Sequence, residues 1–141
     1  MSIFLLSCSG QKPKDLGIYN NTFSHCPVTP NCISSDATDK KHKIDFLKLN
    51  AEYKNNWQAI HNAVNTLSNT KIVTFNETYI HAECSSTVFG FVDDLQLHLR
   101  ENGENIAIKS AARLGHSDFG VNKKRIEKLR EQLLKDNVIT E

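Results

Sequence analysis

Residues 89–99, "FGFVDDLQLHL", carry two adjacent carboxylates, Asp93 and Asp94, inside an apolar run. Two carboxylates in one place can act as general acid and base, or clamp a metal. In a regular strand neighbouring side chains leave opposite faces, so without a bulge this pair cannot converge. Phe89, Phe91, Leu95, Leu97 and Leu99 set the core face, and Asp93 shares it. Asp94 falls on the other face with Gln96 and His98. A buried, unpaired carboxylate is costly, so Asp93 needs a partner, a bulge or a task. Arg113 is its expected partner across neighbouring strands, in a bidentate pair. The same pair could border a pocket in which Arg113, Lys124 or Arg125 binds the carboxylate or phosphate of a ligand.

Charge is uneven along the chain. Residues 109–135 hold eight basic side chains against three acidic ones. Lys123, Lys124 and Arg125 stand together near the start of the last expected helix, where the helix dipole disfavours cations. Either internal carboxylates (Asp93, Asp94, Asp118) offset them, or an external anion does, held by the arginines and the helix start at Asn122. Catalytic readings are thinner. Asp93 or Asp94 could work with His42, the histidine of "KKHKI". Ser85, Ser86, Ser110, His81 and His98 fit no nucleophile–base signature, and no G-x-S-x-G, H-E-x-x-H or phosphate-loop pattern occurs. His81 and His98 read as decoration of a solvent-facing strand surface.

Four cysteines bear on the compartment. "MSIFLLSCSG" is similar to a bacterial lipoprotein signal, with Cys8 as the lipidated residue, although no Lys or Arg precedes it and the apolar run is short. A polar tether, "SGQKPKDLG", follows. Cys26 and Cys32 bracket "CPVTPNC", whose prolines and asparagine favour turns that bring its ends together. In an oxidising compartment they can form a disulfide. A zinc pair is the alternative, but C-x₂-C spacing and a second cysteine pair are lacking. Cys84 reads as a small buried hydrophobe. Net charge is +1, which provides no global attraction to nucleic acid, and no run approaches the ~18 apolar residues of a membrane span. No cofactor or metal site is indicated.

These residues must be positioned by few elements. Leu49, Tyr53, Trp57, Ile60, Val64 and Leu67 form a helical stripe that predicts a helix over 49–67, with Trp57 in the core. Strands are predicted at 71–75, 78–86, 89–99 and 106–112, with hairpin turns at Asn76-Glu77 and "ENGEN". A last helix is predicted over 122–135, its stripe made by Ile126, Leu129 and Leu133. The expected fold is α+β: a mostly antiparallel sheet of three to four strands, with an N-terminal and a C-terminal helix packed on one face. Residues 1–20 read as signal remnant, lipid anchor and linker, and 21–141 as a single domain.

"CPVTPNCISS", His42 and Ile44, "FGFVDDLQLHL" and "IKSAARLGHSDFGVNKKRIEKLR" together resemble the domain of unknown function 1499 family, from about Leu16 to Leu134. Members occur in bacteria and plastids, many with an export signal or membrane segment. The resemblance implies no activity. Lys109, Ala112 and His116 depart from its pattern, which favours Arg, Ser and an aromatic there. A family nucleophile at position 112 would thus be missing in this chain. The reading that follows is a non-catalytic cell-envelope domain, anchored to the membrane by lipid at Cys8 and facing the periplasm. Its ligand would be a small anion (phosphate, lipid headgroup or carboxylate) at Arg113, Asp118, Asn122, Lys124 and Arg125. One rival is a hydrolase or isomerase using Asp93 or Asp94 with His42. Another is a structural subunit with an envelope protein partner.

Overall fold

The computed structural model describes residues 10–86 and 90–141. The expected first residue of the Asp93 strand, Phe89, and the expected lipidation site, Cys8, lie outside these. Four strands form an antiparallel meander: β3 (Thr70–Phe75), β4 (Tyr79–Ser85), β5 (Val92–Leu99) and β6 (Asn105–Ala112). Two of the turns are made by asparagines. Asn76 Oδ1 accepts the N–H groups of Thr78 and Tyr79, and Asn102 Oδ1 those of Glu104 and Asn105. An asparagine side chain copies a backbone turn in this way. Gly103, at φ 68°, supplies the left-handed residue of the second hairpin.

The sheet is larger than expected. Two short strands share the far edge of β6: β1 (Cys32–Ser34) pairs along 109–111 and β2 (Leu47–Leu49) along 105–106. Beyond β2 lies β7 (Ile139–Thr140), giving seven antiparallel strands in the order β3-β4-β5-β6-β2-β7, with β1 also on β6. The three- to four-stranded expectation is corrected on this count. Strands of two or three residues carry no readable alternation, and each is set by a distant partner.

Two helices cover one face, α1 (Asn56–Thr66) and α2 (Val121–Lys135). Ile60 and Val64 of α1 and Ile126, Leu129 and Leu133 of α2 join one core with Ile80, Leu95, Leu97, Ile106 and Ile108. Here α1 starts seven residues later than the stripe suggested. Leu49 is taken by β2, opposite Ile139, and Asn55 at φ 56° breaks helical geometry just before Asn56. Trp57 is partly buried against the core and donates its indole N–H to Asn76 O at 2.9 Å.

The other face is polar but covered. Residues 10–24, the first half of which read as tether, run across it. Gly17 N–H donates to Gln96 Oε1 at 2.8 Å, Lys109 Nζ to Ser24 O at 2.8 Å, and Phe23 is buried. His81 and His98, expected in solvent, are therefore only 2% and 9% exposed. Tyr79 donates its hydroxyl to Gln96 Oε1. Burial, then the charge of Asp94, pushes its pKa up, and burial pushes that of Lys109 down. Among the described residues no helix is long and apolar enough to cross a membrane.

Candidate functional site

The β5–β6 register places Asp93 opposite Ala112 and Asp94 opposite Ala111. Arg113, one residue beyond Ala112, therefore leaves the sheet on the face of Asp94, and the expected Asp93–Arg113 pair does not form. Arg113 instead donates from Nε to Asp94 Oδ2 and from Nη2 to Asp94 Oδ1, both at 2.8 Å, and from Nη2 to Glu83 Oε2 at 2.7 Å. His81 Nε2 meets Asp94 Oδ1 at 2.7 Å from the neighbouring strand. Burial pushes the Asp94 pKa up, but the hydrogen bonds from Arg113 and His81 outweigh it and hold the carboxyl below its ordinary value. His81, Glu83, Asp94 and Arg113 thus bond to one another.

Asp93 faces the helices, and its partner comes from α2. Arg125 Nη2 donates to Asp93 Oδ2 at 2.9 Å. Its Nη1 donates to Ser110 Oγ at 3.0 Å and Asn122 Oδ1 at 2.7 Å, and Ser110 Oγ donates to Asn122 Oδ1 at 2.6 Å. Asn122 Nδ2 donates to Asp118 Oδ2 at 2.7 Å, while Asp118 Oδ1 accepts the Gly120 N–H at 2.8 Å. One hydrogen-bonded chain thus runs from the loop before α2, through the first turn of the helix, to the carboxylate on β5.

Asp93 and Arg125 close the buried end of a cavity of about 530 Å³. Phe91, Leu114, Phe119 and Val121 line its rim, and Asp118 its side. Among the described residues, Asp93 Oδ1 and Arg125 Nε make no hydrogen bond. Their side chains are 12% and 14% exposed and both line the cavity, which thus offers a ligand one unbonded acceptor and one unbonded donor.

Cys26 and Cys32 are joined in a disulfide, Cα–Cα 5.7 Å. Within that loop Asn31 Nδ2 donates to Gly115 O at 2.7 Å, and Asn31 O accepts the Ala112 N–H at 2.9 Å. The loop thereby holds the 112–120 segment that shapes the rim. His42 sits behind it, Nδ1 against Asp39 Oδ2 at 2.7 Å and Nε2 against Thr29 O at 2.8 Å. It buttresses the disulfide loop and is bonded to neither Asp93 nor Asp94. Lys124 is exposed and does not line the cavity, and Arg113 is used up on the opposite face. Cys84 is free and buried, with its thiol pKa pushed up by burial. Among the described residues no three His, Cys, Asp or Glu side chains are grouped to hold a metal ion.

The stretches that converge here are those that carry a family model described as "Protein of unknown function (DUF1499)", which matches residues 22–133. The chain belongs to this family. Every residue of the Asp93–Arg125 chain lies inside the DUF1499 span, and Cys8 lies before it. No curated protein matches the chain. Within the DUF1499 domain, sequence reasoning passed over the apolar rim. The available signal was Leu114 and Phe119 within the Gly-containing loop "RLGHSDFG", where polar side chains are the ordinary choice, with Val121 directly after it.

Proposed function

We propose that this domain is a non-catalytic binding module of the bacterial cell envelope, held at the membrane by lipid on Cys8. Its ligand carries a carboxylate or phosphate that Arg125 takes at the start of α2. The observation that carries this reading is the free Nε of an arginine whose side chain is only 14% exposed and lines a 530 Å³ cavity. Its other nitrogens are fixed by Asp93, Ser110 and Asn122, so the guanidinium is preorganised and loses little freedom on binding. The nearby N-terminus of α2 adds a favourable potential for negative charge.

The pairing of Asp93 or Asp94 with His42 that a catalytic reading would use is not formed. Asp93 is paired with Arg125, Asp94 with Arg113 and His81, and His42 is bonded elsewhere. The test is thermal melting of the protein with inorganic phosphate and with acetate. Binding to the folded state alone stabilises by about 2.7 kcal/mol at a hundredfold excess over Kd, so the melting temperature should climb with concentration. Arg125→Gln should abolish the climb. A shift that survives this substitution would remove Arg125 from the site and with it this function.

A further inference from the structure

We infer that the ligand is a single-chain amphiphile taken from a bilayer, its anionic head on Arg125 and its acyl chain on the apolar rim. This rests on the proposed function and adds the class of molecule and its source. A free phosphate or acetate would occupy only the buried end. It would leave Leu114, Phe119 and Val121, which are 48%, 89% and 46% exposed, facing water. Single exposed apolar side chains are ordinary, but three gathered around one cavity mark a binding surface. The cavity volume of about 530 Å³ falls in the range of roughly 300–1,000 Å³ typical of small-molecule sites. That is ample for a head with part of one chain.

The source follows from where the chain enters the domain. Gly10 lies so close to Leu114 that a Cβ there would come within 2.9 Å of the leucine Cγ. Cys8 stands two residues earlier, a reach of at most about 7 Å when fully extended. Lipid on Cys8 would therefore hold the Leu114 side of the cavity at the membrane surface, with no free tether between. Apolar side chains in that position insert at the headgroup boundary, and Arg125 then receives an anionic head from the same layer.

The test uses the full chain and three probes: acetate, octanoate and octanol. Octanoate should raise the melting temperature at concentrations at least fifty-fold below acetate, since each buried methylene contributes about four-fold (~0.8 kcal/mol) and three or more would be covered. Phe119→Ser and Leu114→Ser should each remove much of that gain while leaving the acetate response unchanged. Equal responses to acetate and octanoate would overturn the amphiphile and leave the anion site standing. No response to any probe, or octanol matching octanoate with no effect of Arg125→Gln, would overturn the proposed function itself. If octanoate binds only after Ile3, Phe4, Leu5 and Leu6 are replaced by serine, the cavity belongs to the chain's own N-terminus and the inference fails. A second arm follows a fluorescent fatty acid leaving phosphatidylcholine vesicles. Faster uptake by the lipidated chain than by Cys8→Ser supports the bilayer as source, and equal uptake overturns it.

Discussion

Arg113 makes three hydrogen bonds to charged oxygens, two to Asp94 and one to Glu83, with 6% of its side chain exposed. Removing it strands a buried carboxylate, so Arg113→Ala should destabilise the fold by about 3 kcal/mol, read from urea denaturation. A change near zero would show that Asp94 reaches solvent. Asp94 also sets an acid limit. Its folded pKa lies below the unfolded value of about 3.9, so the unfolded state binds more protons between the two. Its contribution is therefore complete above the unfolded pKa and lost as pH falls through the folded one. Asp94→Asn should flatten the stability profile between roughly pH 5 and 3 relative to the native chain. That Asp93 needs a cation was legible from its place among Leu95, Leu97 and Leu99. That the cation is Arg125 was not, because α2 and β5 are joined only by tertiary packing.

At the scale of elements, Lys123, Lys124 and Arg125 stand third to fifth in α2, against the dipole, and no acidic residue stands in its first turn. Asp118 compensates from outside the helix. It accepts the Gly120 N–H and, through Oδ2, both the backbone and the side chain of Asn122. Asp118→Ala should cost about 1 kcal/mol, the usual worth of a lost N-terminal acceptor. Asp118→Asn, which keeps only one of the two acceptor oxygens, should recover part of it in the same denaturation measurement. No loss in Asp118→Ala would show that these hydrogen bonds do not hold the helix start. Helix α2 was readable almost to the residue because Ile126, Leu129 and Leu133 repeat locally and no strand competes for them. Helix α1 was not: the same periodicity continued through Leu49 and Tyr53, but the pairing of β2 with β7 claims Leu49.

For the whole molecule, both faces of the sheet are closed, one by two helices and the other by residues 10–24. Within that cover Gly10 lies against Leu114, two residues after Cys8, so a lipid on Cys8 would leave the domain little play relative to the bilayer. Cys8→Ser should move the protein from the membrane to the soluble fraction on centrifugation of lysed cells. An unchanged membrane fraction would overturn the anchor.

By itself the sequence determined the meander β3–β6, helix α2 and the opposite facing of Asp93 and Asp94, because these depend on periods of two and of three to four residues within short windows. It also carried the family, through several motifs in order. Only the tertiary structure decided β1, β2 and β7, the burial of His81 and His98, the exchange of partners that joins Asp94 to Arg113 and Asp93 to Arg125, and the apolar rim beside that pair. Each of these depends on contacts between different elements of the chain. Such contacts are selected by the closure of the whole chain, and no local pattern encodes them.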